Sequence, residues 1–361
     1  RGGPGPAARG GGGGGGDPSR ASALLAKQID ALALQHNTDF CTRQAVALFS
    51  AQHFQRTISL TTALLNKDPL SDNQILLIVH AATLTELKQH NELFYFSHRL
   101  TETHPKLAAS WYAVSCYYYL IQDLENARKY FGKTTSIDPQ RGEAWIGFGH
   151  VFAAEGEHDQ AMAAYRTACR LLVRSHLPLL YLGMELVGEE QQRSQDCFLL
   201  SEKYIKRAIH LQPDDPLCFN ELGVIFFKKK EYGKAIDIFQ RLVDDGGALS
   251  LDMFGDEPSI ANLRETVLFN MAHCFRKLKK FEHAIDLYKK CCSLRPHNRT
   301  TFAAMGFTYH LMGELDLAVD YYHSTLALDP SNSLAAQMLA RAIEDCSGAA
   351  AQAAVVSSSL T

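Results

Sequence analysis

The chain repeats one pattern of side chains at intervals of 34 residues, and this period decides what it can fold into. Each period begins with a large residue, a small residue and an aromatic residue. A small, an aromatic and a small residue follow, and a proline usually ends the period. Two consecutive periods read Trp111, Ser115, Tyr118, Ala127, Phe131, Thr134, Pro139 and Trp145, Gly149, Phe152, Ala161, Tyr165, Ala168, Val173. Two later periods read Leu268, Ala272, Phe275, Ala284, Tyr288, Cys291, Pro296 and Phe302, Gly306, Tyr309, Ala318, Tyr322, Thr325, Pro330. A unit this short cannot bury its own apolar face, so several units must stack to make a core.

The spacing resembles the tetratricopeptide repeat, in which each unit is a pair of antiparallel helices. Small residues such as Gly149 let two helices approach closely, and aromatic residues such as Tyr165 fill the space between neighbouring units. Prolines such as Pro139 end the second helix, because proline lacks the amide hydrogen and clashes with the preceding turn. The pattern predicts an all-α fold, an α-solenoid of tetratricopeptide repeats forming a right-handed superhelix. The first helix of each pair would line its concave inner wall.

Composition and repeat quality divide the chain into five parts. Residues 1–20 are glycine-rich and predicted to be disordered, and residues 22–107 hold degenerate helical repeats that include an amphipathic helix at 22–34. Residues 108–332 form the superhelix, with insertions near 191–196 and 244–258, and a capping helix at 333–346 precedes a disordered tail at 347–361. Because the chain starts with arginine and its first methionine is Met162, we expect it to be part of a longer protein.

Charge argues against nucleic acid as a partner. The formal net charge is −3 and the isoelectric point near 6.6, whereas nucleic-acid binding normally needs a basic face. The run Lys228, Lys229 and Lys230 is interpreted as a solvated helix end, with a contact to an acidic partner as the alternative. No apolar run reaches the ~18 residues of a membrane span, so no membrane association is expected.

The nine cysteines include no C-x-x-C pair and are expected to be reduced thiols in a helical core, as in the cytosol or nucleus. Cys291 and Cys292 are adjacent and cannot share one helix face, so no metal site is predicted there. No cofactor is expected.

No catalytic motif stands out. The segment from Gly147 to His150 is similar to part of a phosphate-binding loop, but it lacks the third glycine and the repeat already accounts for Gly149. His158 and Asp159 fall in a turn between helices and are expected to be solvated. A cysteine–histidine pair formed by distant residues stays open, although the expectation is that the protein is not an enzyme.

The register of the repeats identifies candidate residues on the inner wall. By analogy with other tetratricopeptide folds, side chains just after the leading large residue of the first helix point inward. The candidates for binding a partner peptide are Tyr112, Cys116, Ile146, His150, Asn220, Glu221, Val224, Phe269, Asn270, His273 and Phe307. Polar groups there could hydrogen-bond an extended backbone while aromatic rings hold its side chains. The alternative is that these residues, Tyr112 and Phe307 above all, only pack against one another.

Several stretches resemble one family more closely than a generic repeat would. They are 91–105 (NELFYFSHRLTETHP), 111–120 (WYAVSCYYYL), 144–165 (AWIGFGHVFAAEGEHDQAMAAY), 176–186 (HLPLLYLGMEL), 274–288 (CFRKLKKFEHAIDLY) and 311–322 (LMGELDLAVDYY). Together with the two insertions, they are similar to the tetratricopeptide subunits of the anaphase-promoting complex (cyclosome) of the cell-division-cycle-sixteen type.

This resemblance implies a non-catalytic scaffold subunit of a ubiquitin ligase that acts on cell-cycle regulators, found in nucleus and cytoplasm. It also implies that other subunits of the complex are partners, including a small one whose N-terminal segment lies in the superhelical channel. Members of the family form homodimers through N-terminal repeats, and much of that region has no counterpart in this sequence. The resemblance also implies that His150, Glu221, Asn270 and His273 contribute to the superhelical channel.

The repeat by itself is also compatible with a stand-alone peptide adaptor such as a co-chaperone. The predicted wall lacks the clustered Lys and Arg that bind chaperone C-termini in such adaptors, which favours the ligase subunit.

Overall fold

A computed structural model of the protein describes residues 37–188, 195–244, 249 and 258–359, with side chains from 261 to 347 in the last range. All regular secondary structure in these ranges is helical. The helices are α1 (Thr38–Ser50), α2 (Phe54–Lys67), α3 (Gln74–Glu86), α4 (His90–Thr103), α5 (Ala108–Leu120), α6 (Leu124–Ile137), α7 (Gly142–Ala154), α8 (His158–Leu171), α9 (Leu177–Leu186), α10 (Gln195–Leu211), α11 (Pro216–Lys228), α12 (Tyr232–Val243), α13 (Pro258–Lys277), α14 (Phe281–Leu294), α15 (Arg299–Met312), α16 (Leu315–Leu328) and α17 (Ser333–Ser359). The predicted all-α fold of tetratricopeptide repeats is confirmed.

The chain forms two compact units, which meet in sequence between Ile137 and Asp138. In unit 1 the helices pair as α1–α2, α3–α4 and α5–α6, and α5 also packs against α3 and α4. The first strong repeat, α5–α6, therefore belongs with the weaker repeats before it. The predicted division at residue 107, which separates degenerate from regular repeats, stays a prediction.

Unit 2 contains five helix pairs, α7–α8 to α15–α16, and α17 packs against α16. Within a pair, a small residue of the first helix lies directly on a large residue of the second. A methyl group at Gly149 would lie 2.4 Å from Tyr165, and one at Gly223 would lie 2.4 Å from Phe239. This close approach is the physical reason for the small residue in each repeat.

Helix ends follow the residues that the sequence marks. α6, α10, α14 and α16 each end two residues before the prolines at 139, 213, 296 and 330, as predicted. Two first helices of unit 2 begin at side-chain caps. Asp215 accepts a hydrogen bond from the Leu217 amide at 2.9 Å, and Asn298 accepts one from the Thr300 amide at 3.0 Å.

The turn between the two helices of a pair often contains a residue whose backbone has the left-handed conformation. Gly156 and Gly313 have φ of 80° and 86°, and Lys230 and Lys279 adopt the same conformation with φ of 65° and 60°. The backbone of this turn is therefore nearly the same whether glycine or lysine occupies it.

Some expectations differ from the structure or lie outside it. α17 continues to Ser359, well past the predicted end at 346, because the alanine-rich sequence that follows favours helix. The predicted helix at 22–34, the disordered segment 1–20 and most of both insertions lie outside the described residues. Among the described helices, none combines the length and apolar character needed to cross a lipid bilayer.

Candidate protein-interaction surface

The two predicted wall residues of unit 1 are core residues. Tyr112 and Cys116 lie on α5 and are only 7% and 5% exposed. The Tyr112 ring meets the edge of Phe131 with centroids 5.9 Å apart, and burial raises the pKa of the Cys116 thiol to about 12. They are buried because α5 also packs against α3 and α4 in this unit, and peptide binding by these two residues stays a prediction.

The other nine candidates lie on first helices of unit 2, and we call them the unit-2 wall. They are Ile146 and His150 on α7, Asn220, Glu221 and Val224 on α11, Phe269, Asn270 and His273 on α13, and Phe307 on α15. All are partly exposed except Asn220, which is 3% exposed. The eight partly exposed positions can therefore contact a ligand, although they also contact one another.

A chain of hydrogen bonds connects α11 to α13. The Asn270 amide donates to Asn220 Oδ1 at 3.1 Å, and the Asn220 amide donates to Glu221 Oε1 at 3.0 Å. Burial raises the pKa of the Glu221 carboxyl, against the opposing effects of the Asn220 bond and the charge of Lys228. The Asn220–Asn270 bond fixes the side chains of two neighbouring repeats relative to each other.

The histidines of the unit-2 wall are held by tyrosines of the second helices. His150 Nδ1 and the Tyr165 hydroxyl lie 2.9 Å apart, and the His150 ring meets the Tyr181 ring at 4.4 Å. Burial lowers the pKa of His150 to about 4. His150 is therefore neutral at physiological pH, and its ring has a fixed orientation.

His273 occupies the same repeat position and also has a tyrosine of the second helix as its partner. Its Nδ1 lies 3.1 Å from the Tyr288 hydroxyl, and its ring meets that of Phe269 at 4.4 Å. Burial, assisted by the positive charges of Arg276 and Lys277, lowers the pKa of His273 to about 4. The unit-2 wall thus offers uncharged imidazoles.

Phe307 occupies the same repeat position on α15 and cannot pair with a tyrosine hydroxyl. The guanidinium of Arg276 lies over its ring, 5.0 Å from the centroid. The hydroxyl of Tyr322, which corresponds to Tyr165 and Tyr288, is buried without a hydrogen-bond partner among the described residues. The sequence contains a pattern that indicates the histidine–tyrosine pairs, because a tyrosine follows a histidine by fifteen residues in two repeats.

One buried cluster joins the start of α9 to the start of α11. His176 Nε2 lies 2.7 Å from Asp215 Oδ2, and the Cys218 thiol lies 3.7 Å from the same oxygen. These residue types can bind a metal ion, and no other such group occurs among the described residues. Two ligands of one tetrahedral zinc ion would be about 3.3 Å apart. The 2.7 Å distance is that of a hydrogen bond, so the cluster is a structural link between two repeats.

His158 is not the solvated turn residue that the sequence suggested. It is the first residue of α8 and makes a hydrogen bond with Glu185 of α9. This is a further side-chain contact between neighbouring helix pairs.

Models of the tetratricopeptide repeat match residues 108–141, 142–171, 191–249, 266–298 and 304–332, and the chain belongs to this family. Within it, the chain is homologous to a particular type of subunit. It is 35% identical over 329 residues to the cell division cycle protein 16 homolog of Mus musculus, covering 90% of this chain and 50% of the relative. It is 38% identical over 314 residues to anaphase-promoting complex subunit 6 of Arabidopsis thaliana, covering 87% of this chain and 54% of the relative.

A solved structure agrees with these relatives. The crystal structure of the anaphase-promoting complex hetero-tetramer Cut9–Hcn1 matches with a TM-score of 0.74 and 34% identity, covering 90% of this chain and 59% of that chain. The resemblance to the cell-division-cycle-sixteen type is confirmed. The chain spans about half the length of the curated relatives it matches.

Proposed function

We propose that the protein is a non-catalytic scaffold subunit of the anaphase-promoting complex, a ubiquitin ligase that acts on cell-cycle regulators. The observation that carries this proposal is the homology to the cell division cycle 16 and subunit 6 proteins over about nine-tenths of the chain. Such a subunit works by holding other subunits in place, in the nucleus and the cytoplasm. Homodimer formation belongs to the same proposal for the longer protein, as implied by the family.

A small subunit is the proposed ligand of the unit-2 wall. The structural relative was solved as a complex of Cut9 with Hcn1. The wall suits the N-terminal segment of such a partner, because its amides and neutral imidazoles can exchange hydrogen bonds with an extended backbone. The rings of Phe269 and Phe307 offer partly exposed apolar surface beside these groups.

Asn270 provides the sharpest test. Asn270→Ala should weaken binding of the small subunit's N-terminal peptide by about 1–3 kcal/mol, since a polar group of the bound peptide would be left buried and unpaired. Asn262→Ala, at an exposed site on the same helix, is the matched control and should leave affinity unchanged. Calorimetry measures affinity, and thermal unfolding of each free variant separates lost binding from lost stability.

Unchanged affinity in Asn270→Ala would remove this residue from the site. The same calorimetry with a chaperone C-terminal peptide tests the adaptor alternative, and binding of that peptide in place of the small subunit's would contradict the proposed function. Purification of the tagged chain from dividing cells should recover other subunits of the complex, and recovery of none would count against the scaffold role.

A further inference from the structure

Two turns of unit 2 carry an excess of positive charge that the proposed function does not use. The turn between α11 and α12, residues 228–234, has four lysines and one glutamate. The turn between α13 and α14, residues 276–282, has one arginine, three lysines and one glutamate. The chain as a whole has a net charge of −3, so this concentration of cations is local.

Only some of these cations have partners. Lys229 pairs with Glu202 at 2.5 Å, Lys234 pairs with Glu231 at 2.6 Å, and Lys228 donates to the Val187 carbonyl at 2.6 Å. Four exposed lysines make no ion pair within the described part of the chain. They are Lys230, Lys277, Lys279 and Lys280, and we call them the basic edge.

The fold does not require lysine at these turns. A cation near the C-terminal end of a helix interacts favourably with the helix dipole, which is the simplest explanation of lysine there. However, the equivalent turns after α7 and α15 have the same backbone with Gly156 and Gly313. Glu155 and Glu157 flank Gly156, and Glu314 follows Gly313. Helix-end electrostatics therefore does not account for the basic edge.

The two basic turns lie side by side. The Asn220–Asn270 hydrogen bond joins α11 to α13 at nearly the same distance from the end of each helix: Asn220 is eight residues before Lys228, and Asn270 is seven before Lys277. Packed helices are about 8–10 Å apart. An extended chain rises about 3.3 Å per residue, so acidic residues about three positions apart could reach both turns.

We propose that the basic edge binds a short, extended acidic segment of a partner protein. The next turn along the stack, between α15 and α16, favours a short segment over a nucleic acid. Glu314 and Asp316 there would repel a long polyanion that continued past the two basic turns in that direction. Side-chain carboxylates along an extended peptide are opposite in charge to the four lysine ammonium groups.

The test measures peptide binding by fluorescence anisotropy. The acidic peptide has about twelve residues and is made of Asp, Glu and Gly, and the neutral control peptide has the same length and is made of Asn, Gln and Gly. The full chain should bind the acidic peptide and not the neutral one. The variant K230Q/K277Q/K279Q/K280Q should bind the acidic peptide at least about tenfold more weakly. The matched control K67Q/K106Q/K203Q/K289Q changes net charge equally at exposed sites elsewhere and should stay within about twofold of the parent.

Three results would overturn the proposal: no binding of the acidic peptide, equal weakening in both variants, or tighter binding of single-stranded DNA of equal charge. The basic edge is distinct from the unit-2 wall. The K230Q/K277Q/K279Q/K280Q variant should therefore keep the parent's affinity for the small subunit's N-terminal peptide, and both variants should melt at the parent's temperature. If the parent chain bound the acidic peptide but not the small subunit's N-terminal peptide, that result would contradict the proposed function and leave the basic edge supported.

Discussion

Gly149 is the position where the fold depends most directly on the absence of a side chain. Gly149→Ala would place a methyl carbon 2.4 Å from Tyr165 Cε1 and 2.7 Å from Cδ1. Carbon atoms in contact are normally about 3.5–4.0 Å apart, so the ring would have to move by about 1 Å. The Tyr165 ring is 2% exposed and hydrogen-bonded to His150, which leaves it little room to move.

The expected cost follows from two opposing effects. Forcing an extra methyl group into a well-packed core costs about 1–3 kcal/mol. Replacing glycine by alanine within a helix returns about 0.5–1 kcal/mol. We therefore expect a net loss of roughly 1–2 kcal/mol in the free energy of unfolding. The bulkier Gly149→Leu should prevent unit 2 from folding.

Gly233 is the matched control, because a methyl group there would meet nothing within 4 Å and α12 belongs to the same unit. Gly233→Ala should be neutral or stabilising by up to about 1 kcal/mol. Gly306→Ala, with its nearest ring atoms at 3.0 Å, should fall between the two.

Urea unfolding can be followed by Trp145, which lies on α7 with Gly149, in a background in which Trp111 of unit 1 is replaced by phenylalanine. Trp145 then reports on unit 2 alone. If Gly149→Ala proved as stable as Gly233→Ala, the close contact between α7 and α8 would not be what selects glycine, and our reasoning would be wrong.

Three further predictions test the hydrogen bonds of unit 2. Tyr288→Phe should lower the free energy of unfolding by about 1 kcal/mol, because His273 loses its hydrogen-bond partner. Tyr322→Phe should be neutral or stabilising, because the Tyr322 hydroxyl has no hydrogen-bond partner among the described residues. Urea denaturation of both variants tests this. His150 and His273 have pKa values of about 4 in the folded protein and about 6.5 when unfolded, so the unfolded state binds more protons as the pH falls from 7 to 4. The free energy of unfolding should therefore fall over that window, by about 2 kcal/mol for each histidine at pH 5. Unchanged melting temperatures between pH 7 and pH 5 would contradict this. Asp215→Ala should cost about 1–3 kcal/mol by removing the cap of α11 and the bond to His176, while Asp215→Asn should recover part of the loss in thermal denaturation.

The sequence predicted most of the fold because the repeat specifies it locally. Pro139 and Pro296 mark the ends of α6 and α14, and Gly149 and Gly306 mark the closest approach of paired helices. The boundary between the units could not be derived in this way. It depends on α5 packing against α3 and α4, which is a tertiary contact outside the repeat pattern.

The candidate surface was harder to predict than the fold, because exposure depends on neighbouring repeats. Cys116 and His150 have the same position in their repeats, yet Cys116 is buried and His150 is partly exposed. The hydrogen bond between Asn220 and Asn270 joins residues 50 positions apart, which no local pattern indicates. The pairing of His150 with Tyr165 could have been found by comparing one repeat with the next.

The neutral imidazoles of the unit-2 wall have a consequence for how its ligand would respond to ionic strength. With His150 and His273 neutral at physiological pH, hydrogen bonds and buried rings would dominate recognition there, and counterions hardly weaken either. Binding at Lys230, Lys277, Lys279 and Lys280 rests on screened charge and should decline steeply as salt is added. A single sodium chloride titration with both peptides would therefore distinguish the two surfaces without any mutation.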